Sequence, residues 1–230
     1  MKHNPQSGNA LFVILIAISL LAALSYAVSS SNRGVQNMSE ERARLYATEI
    51  IEYSDIIANA VSQLRLRDCD ADEISFENDV VGGYANGNAP SDETCHIFSL
   101  SGGGITWNAP NEAAMDANAS PDNRWHFYGH NEIETVGTTT GAAASSDLLL
   151  VVDELDLTVC QQINKLSNVT TSVSTTPPTD TDITETLFTG TYGYTTTIGD
   201  EASTLETQPT ACFLNTTDTK YTFYRVLIAR

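Results

Sequence analysis

The chain has 230 residues, with 29 Asp and Glu against 11 Lys and Arg and a formal net charge of −18 at pH 7. A surface this acidic is repelled by phosphate backbones and anionic lipid headgroups, which argues against nucleic-acid binding. The 41% of hydrophobic residues and the length suffice for a buried core, and no internal repeat is evident.

The first eight residues, Met1 to Gly8, form a short polar leader with one basic residue, Lys2. An apolar run without charge follows directly, Ala10 to Val28. Read as a helix at about 1.5 Å per residue, it reaches about 28 Å, close to the hydrocarbon thickness of a bilayer. The run therefore predicts a membrane helix over residues 9–31. Asn32 and Gly34 weaken a regular helix just beyond it. Ser39, followed by Glu40 and Glu41, reads as an N-cap with acids in the first turn. Tyr46, Ile50, Tyr53, Ile57, Ala60, Val61 and Leu64 then recur at steps of three and four. This spacing predicts one apolar stripe on an amphipathic continuation of the helix over residues 32–67.

Residues 68–230 read as an acidic, β-rich head, because from Asp68 onward 24 acids face 5 Lys and Arg. Cys95 to Leu100 and Ile105 to Asn108 predict a hairpin over the glycines of 102–104. Arg124 to His130 and Ile133 to Val136 suggest a second pair of strands, and Leu148 to Val152 a short buried strand. A helix is expected from Asp156 to Leu166 with Leu157, Cys160 and Ile163 inward, then a Thr-rich loop from Thr170 to Asp182 around Pro177-Pro178. Leu187 to Ile198, Ala211 to Leu214 and Tyr221 to Ile228 read as strands that complete the sheet.

The four cysteines are Cys69, Cys95, Cys160 and Cys212. None forms a Cys-x-x-Cys pair, so a structural metal site is not expected. Four cysteines permit three pairings, of which the two local closures, Cys69–Cys95 and Cys160–Cys212, are favoured. Such bridges belong to an oxidising compartment. His126 and His130 would share one face of a strand, and read as strand histidines more readily than as a metal or catalytic pair. Asp68-x-Asp70-x-Asp72 with Asp79 has the outline of a calcium loop, but Glu73 stands where a Gly is required. Asp180-x-Asp182-x-x-Glu185 is no stronger. No nucleophile elbow or phosphate-cradling loop occurs, and neither an enzymatic activity nor a cofactor is expected.

The N-terminus, about the first 65 residues, resembles that of type IV pilins and type II secretion pseudopilins, on a polar leader ending in Gly8 and an apolar helix starting immediately after it. The resemblance implies cleavage by prepilin peptidase after Gly8, with Asn9 as the new, N-methylated terminus. It also implies an α+β fold in which one long N-terminal helix packs on an antiparallel sheet. The expected role is a structural subunit of a type IV pilus or type II pseudopilus, held single-pass in the inner membrane with its head in the periplasm or outside the cell. Its partners would be other pilin or pseudopilin subunits, met through the N-terminal helix. The bridge Cys160–Cys212 resembles the C-terminal disulfide loop of that family. The family carries a Glu five residues after the cut, where it neutralises the amine of the neighbouring subunit. This chain has Val13 there, which points to a minor or initiating subunit.

Other readings of the apolar run stay open. Ser25-Tyr26-Ala27 would serve as a signal-peptidase site, giving a Sec-secreted protein. A plain signal anchor would instead tether a periplasmic binding or adhesion module. The charge flanking the run does not decide orientation, since Lys2 precedes it while Arg33, Arg42 and Arg44 follow.

Overall fold

A computed structural model describes residues 13–21, 39–120, 124–181 and 183–230. The chain divides into two compact units, Met1–Met38 and Ser39–Arg230. In the first, residues 13–21 form a helix, α1. The second holds two further helices, α2 (Glu40–Leu66) and α3 (Leu157–Leu166). Its six strands are β1 (His126–Ile133), β2 (Asp147–Val152), β3 (Thr179–Asp180), β4 (Thr196–Ile198), β5 (Thr210–Asn215) and β6 (Lys220–Ile228).

The ends of α2 follow from local chemistry. Ser39 Oγ accepts from the N–H of Arg42, satisfying one of the first turn's orphan donors. At the other end Asp68 takes a left-handed φ of 65°, which lets the Cys69 N–H bond the Leu64 carbonyl. Between these caps Ile50, Tyr53, Ile57, Ala60, Val61 and Leu64 are buried, joined by Ala43, Ala47 and Ser54, whereas Tyr46 is half-buried. In α3, Asp156 caps the first turn through Thr158 N at 2.7 Å. Its buried residues are Val159, Cys160, Gln162, Ile163 and Asn164. Leu157 was expected inward and is instead 41% exposed, one turn position off the covered face.

The strands form one mixed sheet in the order β3-β5-β6-β2-β1-β4. The four central strands are antiparallel, while β3 joins β5 and β4 joins β1 in parallel. The sheet curls until its edges meet. Gly199, just past β4, donates its N–H to Asp180 Oδ2 on β3 at 2.7 Å. Inside the curl lie Tyr128, Leu149, Val151, Phe213 and Tyr224, closed off by Ile198 and Leu205. Strand alternation sends Phe127, Leu150, Cys212 and Phe223 to the opposite face. Cys212 is bridged there to Cys160 of α3. Every residue of β2 is buried, because this strand is central and both of its faces are covered. A bulge at Gly129–His130 shifts the β1–β2 register between Tyr128 and Asn131.

Several expectations are corrected. The fold is not one long N-terminal helix on an antiparallel sheet. It is a nearly closed mixed sheet with three separate helices among the described residues. No described helix is long and apolar enough to cross a membrane. The 27 residues of α2 have the length, but they carry Glu40, Glu41, Arg42, Arg44, Glu49, Glu52, Asp55 and Arg65. The described residues of α1, 13–21, have the apolar character but cover only about 13 Å. The single-pass membrane helix, the inner-membrane location and the pilin fold are therefore not supported. The ends of the proposed span, Ala10 and Val28, lie outside the described residues, as do Gly8 and Asn9.

Within the head, residues 95–108 form turns rather than a hairpin of strands. Ser75 and His96 make an isolated bridge there, and Ile105 N–H bonds Ile97 O at 3.1 Å. Ile133 to Val136 does not pair with β1, because β1 runs through Ile133 and finds its partners in β2 and β4. The strand expected over Leu187 to Ile198 is reduced to Thr196–Ile198, and the Thr-rich loop contributes the two residues of β3.

Candidate functional site

In α1 the apolar side chains are exposed: Leu15 and Leu21 are each 67% accessible, and Val13, Ile14, Ile18 and Leu20 exceed half. A helix that is apolar on every side is stable only where something covers it. Val13, at the start of the described helix, presents a hydrocarbon surface.

The cysteines pair as Cys69–Cys95 and Cys160–Cys212, with no free thiol. The first closes 26 residues and fastens the end of α2 to the irregular segment after it. The second closes 52 residues and fastens α3 to β5.

The histidines are not brought together. His126 lines a cleft of about 330 Å3 with Tyr84, Arg124, Tyr128, Asp153, Glu185 and Lys220. Its ring stacks on Tyr128, with centroids 5.7 Å apart. Burial pulls the His126 pKa below its usual value while the charge of Asp153 opposes this, so the ring is neutral at pH 7. The Lys220 ammonium is committed to Glu154 at 3.1 Å, Asp153 at 3.7 Å and Asp218 at 3.8 Å. Burial also raises the Glu185 carboxyl. Charges of both signs thus neutralise one another across this cleft. His130 instead packs on Gly193, where an added Cβ would lie 2.5 Å from its Cδ2. Its Nδ1 is buried without a hydrogen-bond partner. The bulge at Gly129–His130 separates the two rings, and alternation alone could not reveal it.

The carboxylates of Asp68, Asp70, Asp72 and Asp79 do not converge. Asp70 faces Arg65 at 3.8 Å, and Asp79 lies on a surface groove. Asp182 lies outside the described residues. Asp180, Asp200 and Glu201, by contrast, place ligand atoms within 4.8 Å of one another. Asp180 already accepts from Gly199 N. A side-chain hydrogen bond between Asp200 and Glu201 pushes Asp200 up to about 6 and holds Glu201 down. This trio seals the seam where β3 meets β4.

A surface feature that the sequence did not reveal lies between residues 77 and 107. Phe98 and Trp107, with ring centroids 5.3 Å apart, form the floor of a groove of about 660 Å3. Val80 and Leu100 stand on its rim at 65% and 96% exposure. Glu77, Asp79 and Glu93 surround it. The segment is anchored to α2 through Tyr53, whose hydroxyl donates to Thr106 O at 3.2 Å and accepts from Asn108 N at 3.1 Å.

Compared with protein-family models, with curated proteins and with solved structures, the chain matches none.

Proposed function

We infer that the chain is a non-enzymatic structural subunit of a filamentous assembly, joined to its neighbours through the apolar N-terminal segment after a leader is removed at Gly8. The observation that carries this reading is α1. Its apolar side chains face outward from Val13 to Leu21, and such a surface needs a cover that an identical or related helix supplies. The leader ending in Gly8, which resembles those of type IV pilin and type II pseudopilin precursors, supports the reading and names prepilin peptidase as the processing partner. Two disulfides add to it, since such bridges form and persist in an oxidising environment. Val13 in place of Glu assigns a minor or initiating position.

N-terminal sequencing of the mature protein tests the reading. A start at Asn9 that disappears in Gly8→Val supports it. A start at Val28 would remove the apolar segment and overturn it in favour of a secreted protein.

A further inference from the structure

The groove over Phe98 and Trp107 is an acidic cup with an apolar floor. Glu77 and Asp79 are exposed on its rim, and neither makes an ion pair among the described residues. Leu100, at 96% exposure, gains nothing from the fold in which it sits. Cations are scarce in this head, and most are occupied. Arg65 faces Asp70, Lys220 faces three acids, Arg225 pairs with Asp55 at 2.8 Å, and Arg230 lies over the Tyr192 ring. Arg42 and Arg44, on the first turns of α2, are exposed and make no ion pair among the described residues. Between and beside them Leu45 is 64% exposed, with Glu41 and Thr48 on the same surface.

We propose that the start of α2 in one copy, Arg42, Arg44 and Leu45, docks in the groove of Phe98, Trp107, Glu77 and Asp79 in a second copy. The chemistry matches on both counts. Leu45 supplies apolar contact for the exposed Leu100 and Val80. The guanidinium groups meet Glu77 and Asp79, and either one can lie over the Trp107 face. Within one chain the two surfaces are set apart along α2. Tyr53, which anchors the groove segment, lies nine residues beyond Arg44, about 14 Å along the helix axis. A surface that meets a different surface of its neighbour can repeat head to tail, giving an open helical filament where the rotation does not close and a ring where it does. The inference rests on the assembly reading and supplies a head contact for it.

The test uses the full-length chain carrying a photo-crosslinking residue at Leu45 or, separately, at Ile16. Adducts are mapped by mass spectrometry at low and high salt. Leu45 adducts to residues 77–107 of another copy are expected, falling at least tenfold at about 1 M salt, where the screening length is about 3 Å. Arg42→Glu with Arg44→Glu, or Glu77→Arg with Asp79→Arg, should abolish them, and the four changes together should restore them. All four side chains are exposed, and unchanged near-ultraviolet dichroism would verify the fold. Leu45 adducts elsewhere, or none, overturn the proposal. Ile16 adducts between copies then show that association through α1 stands without it. Leu45 adducts in the groove with no Ile16 adduct would uphold the head contact and remove the N-terminal one.

Discussion

The side chain of Asn164 meets the backbone of Cys212 at two points. Its Nδ2 donates to the Cys212 carbonyl at 2.6 Å, and its Oδ1 accepts the Cys212 N–H at 2.8 Å. A helix side chain thereby takes the place of a neighbouring strand beside β5, next to the bridge from Cys160. Asn131 does the same for Thr184, accepting its N–H at 2.7 Å and donating to its carbonyl at 3.0 Å. Both asparagines are fully buried, and Cys212 is buried with Asn164, so the Cys212 backbone groups have no water to turn to.

Asn164→Leu should therefore destabilise the head by about 2–4 kcal/mol, since two buried backbone groups lose their partners. Urea unfolding of the oxidised protein checks this. An effect below about 1 kcal/mol would show that the Cys160–Cys212 bridge alone holds the junction.

Removing that bridge with Cys160→Ala and Cys212→Ala should cost about 4 kcal/mol, because it closes 52 residues. The Cys69–Cys95 pair, closing 26, should cost about 3.5 kcal/mol. Both are read as midpoint shifts in urea at constant slope.

Asp147 gives a pH dependence of definite sign. It is buried in β2 and accepts from Ile133 N and Arg230 N, each at 2.9 Å. Burial nevertheless pushes its carboxyl up to about 6 from 3.8, with Glu132 adding in the same direction. The folded state holds this proton more tightly than the unfolded one. Its contribution to stability is greatest below pH 4 and is lost as the pH rises from about 4 to about 6. Asp147→Asn should flatten the stability curve in that window. It should also lower stability at pH 7 by about 1–3 kcal/mol, because one amide oxygen cannot accept from both N–H groups. A wild-type curve that rises through the window relative to the variant would contradict this.

Phe127 stacks on Phe76 with centroids 3.8 Å apart and meets Tyr84 and Phe98 edge-on at 5.6 and 6.2 Å. Phe127→Ala should cost about 3–5 kcal/mol. It should also loosen the floor of the groove, seen as increased quenching of the Trp107 emission in a Trp125→Phe background.

Part of the backbone organisation was legible in the residues. The step of three and four from Ile50 to Leu64 located α2, and Ser39 located its start. The apolar block Leu148 to Val152 located the central strand, since five consecutive apolar residues suit burial on both faces. The groove was not legible, because Cys95 to Asn108 has the alternation of a hairpin. Its backbone instead turns around Gly102 and Gly103, where an added Cβ would lie 2.0 and 2.6 Å from the carbonyls of His96 and Ile97.

What the sequence determined by itself is what short-range chemistry controls: the helical stripes and caps, the acidic head, and an apolar segment that requires a cover. Only the tertiary structure decided that the sheet is mixed and curls onto itself, that His126 and His130 part at a bulge, and that Phe98, Trp107 and Leu100 gather beside Glu77 and Asp79. These depend on pairings between residues far apart along the chain. Such contacts form because they bury area and satisfy backbone groups jointly, a requirement that no local pattern encodes.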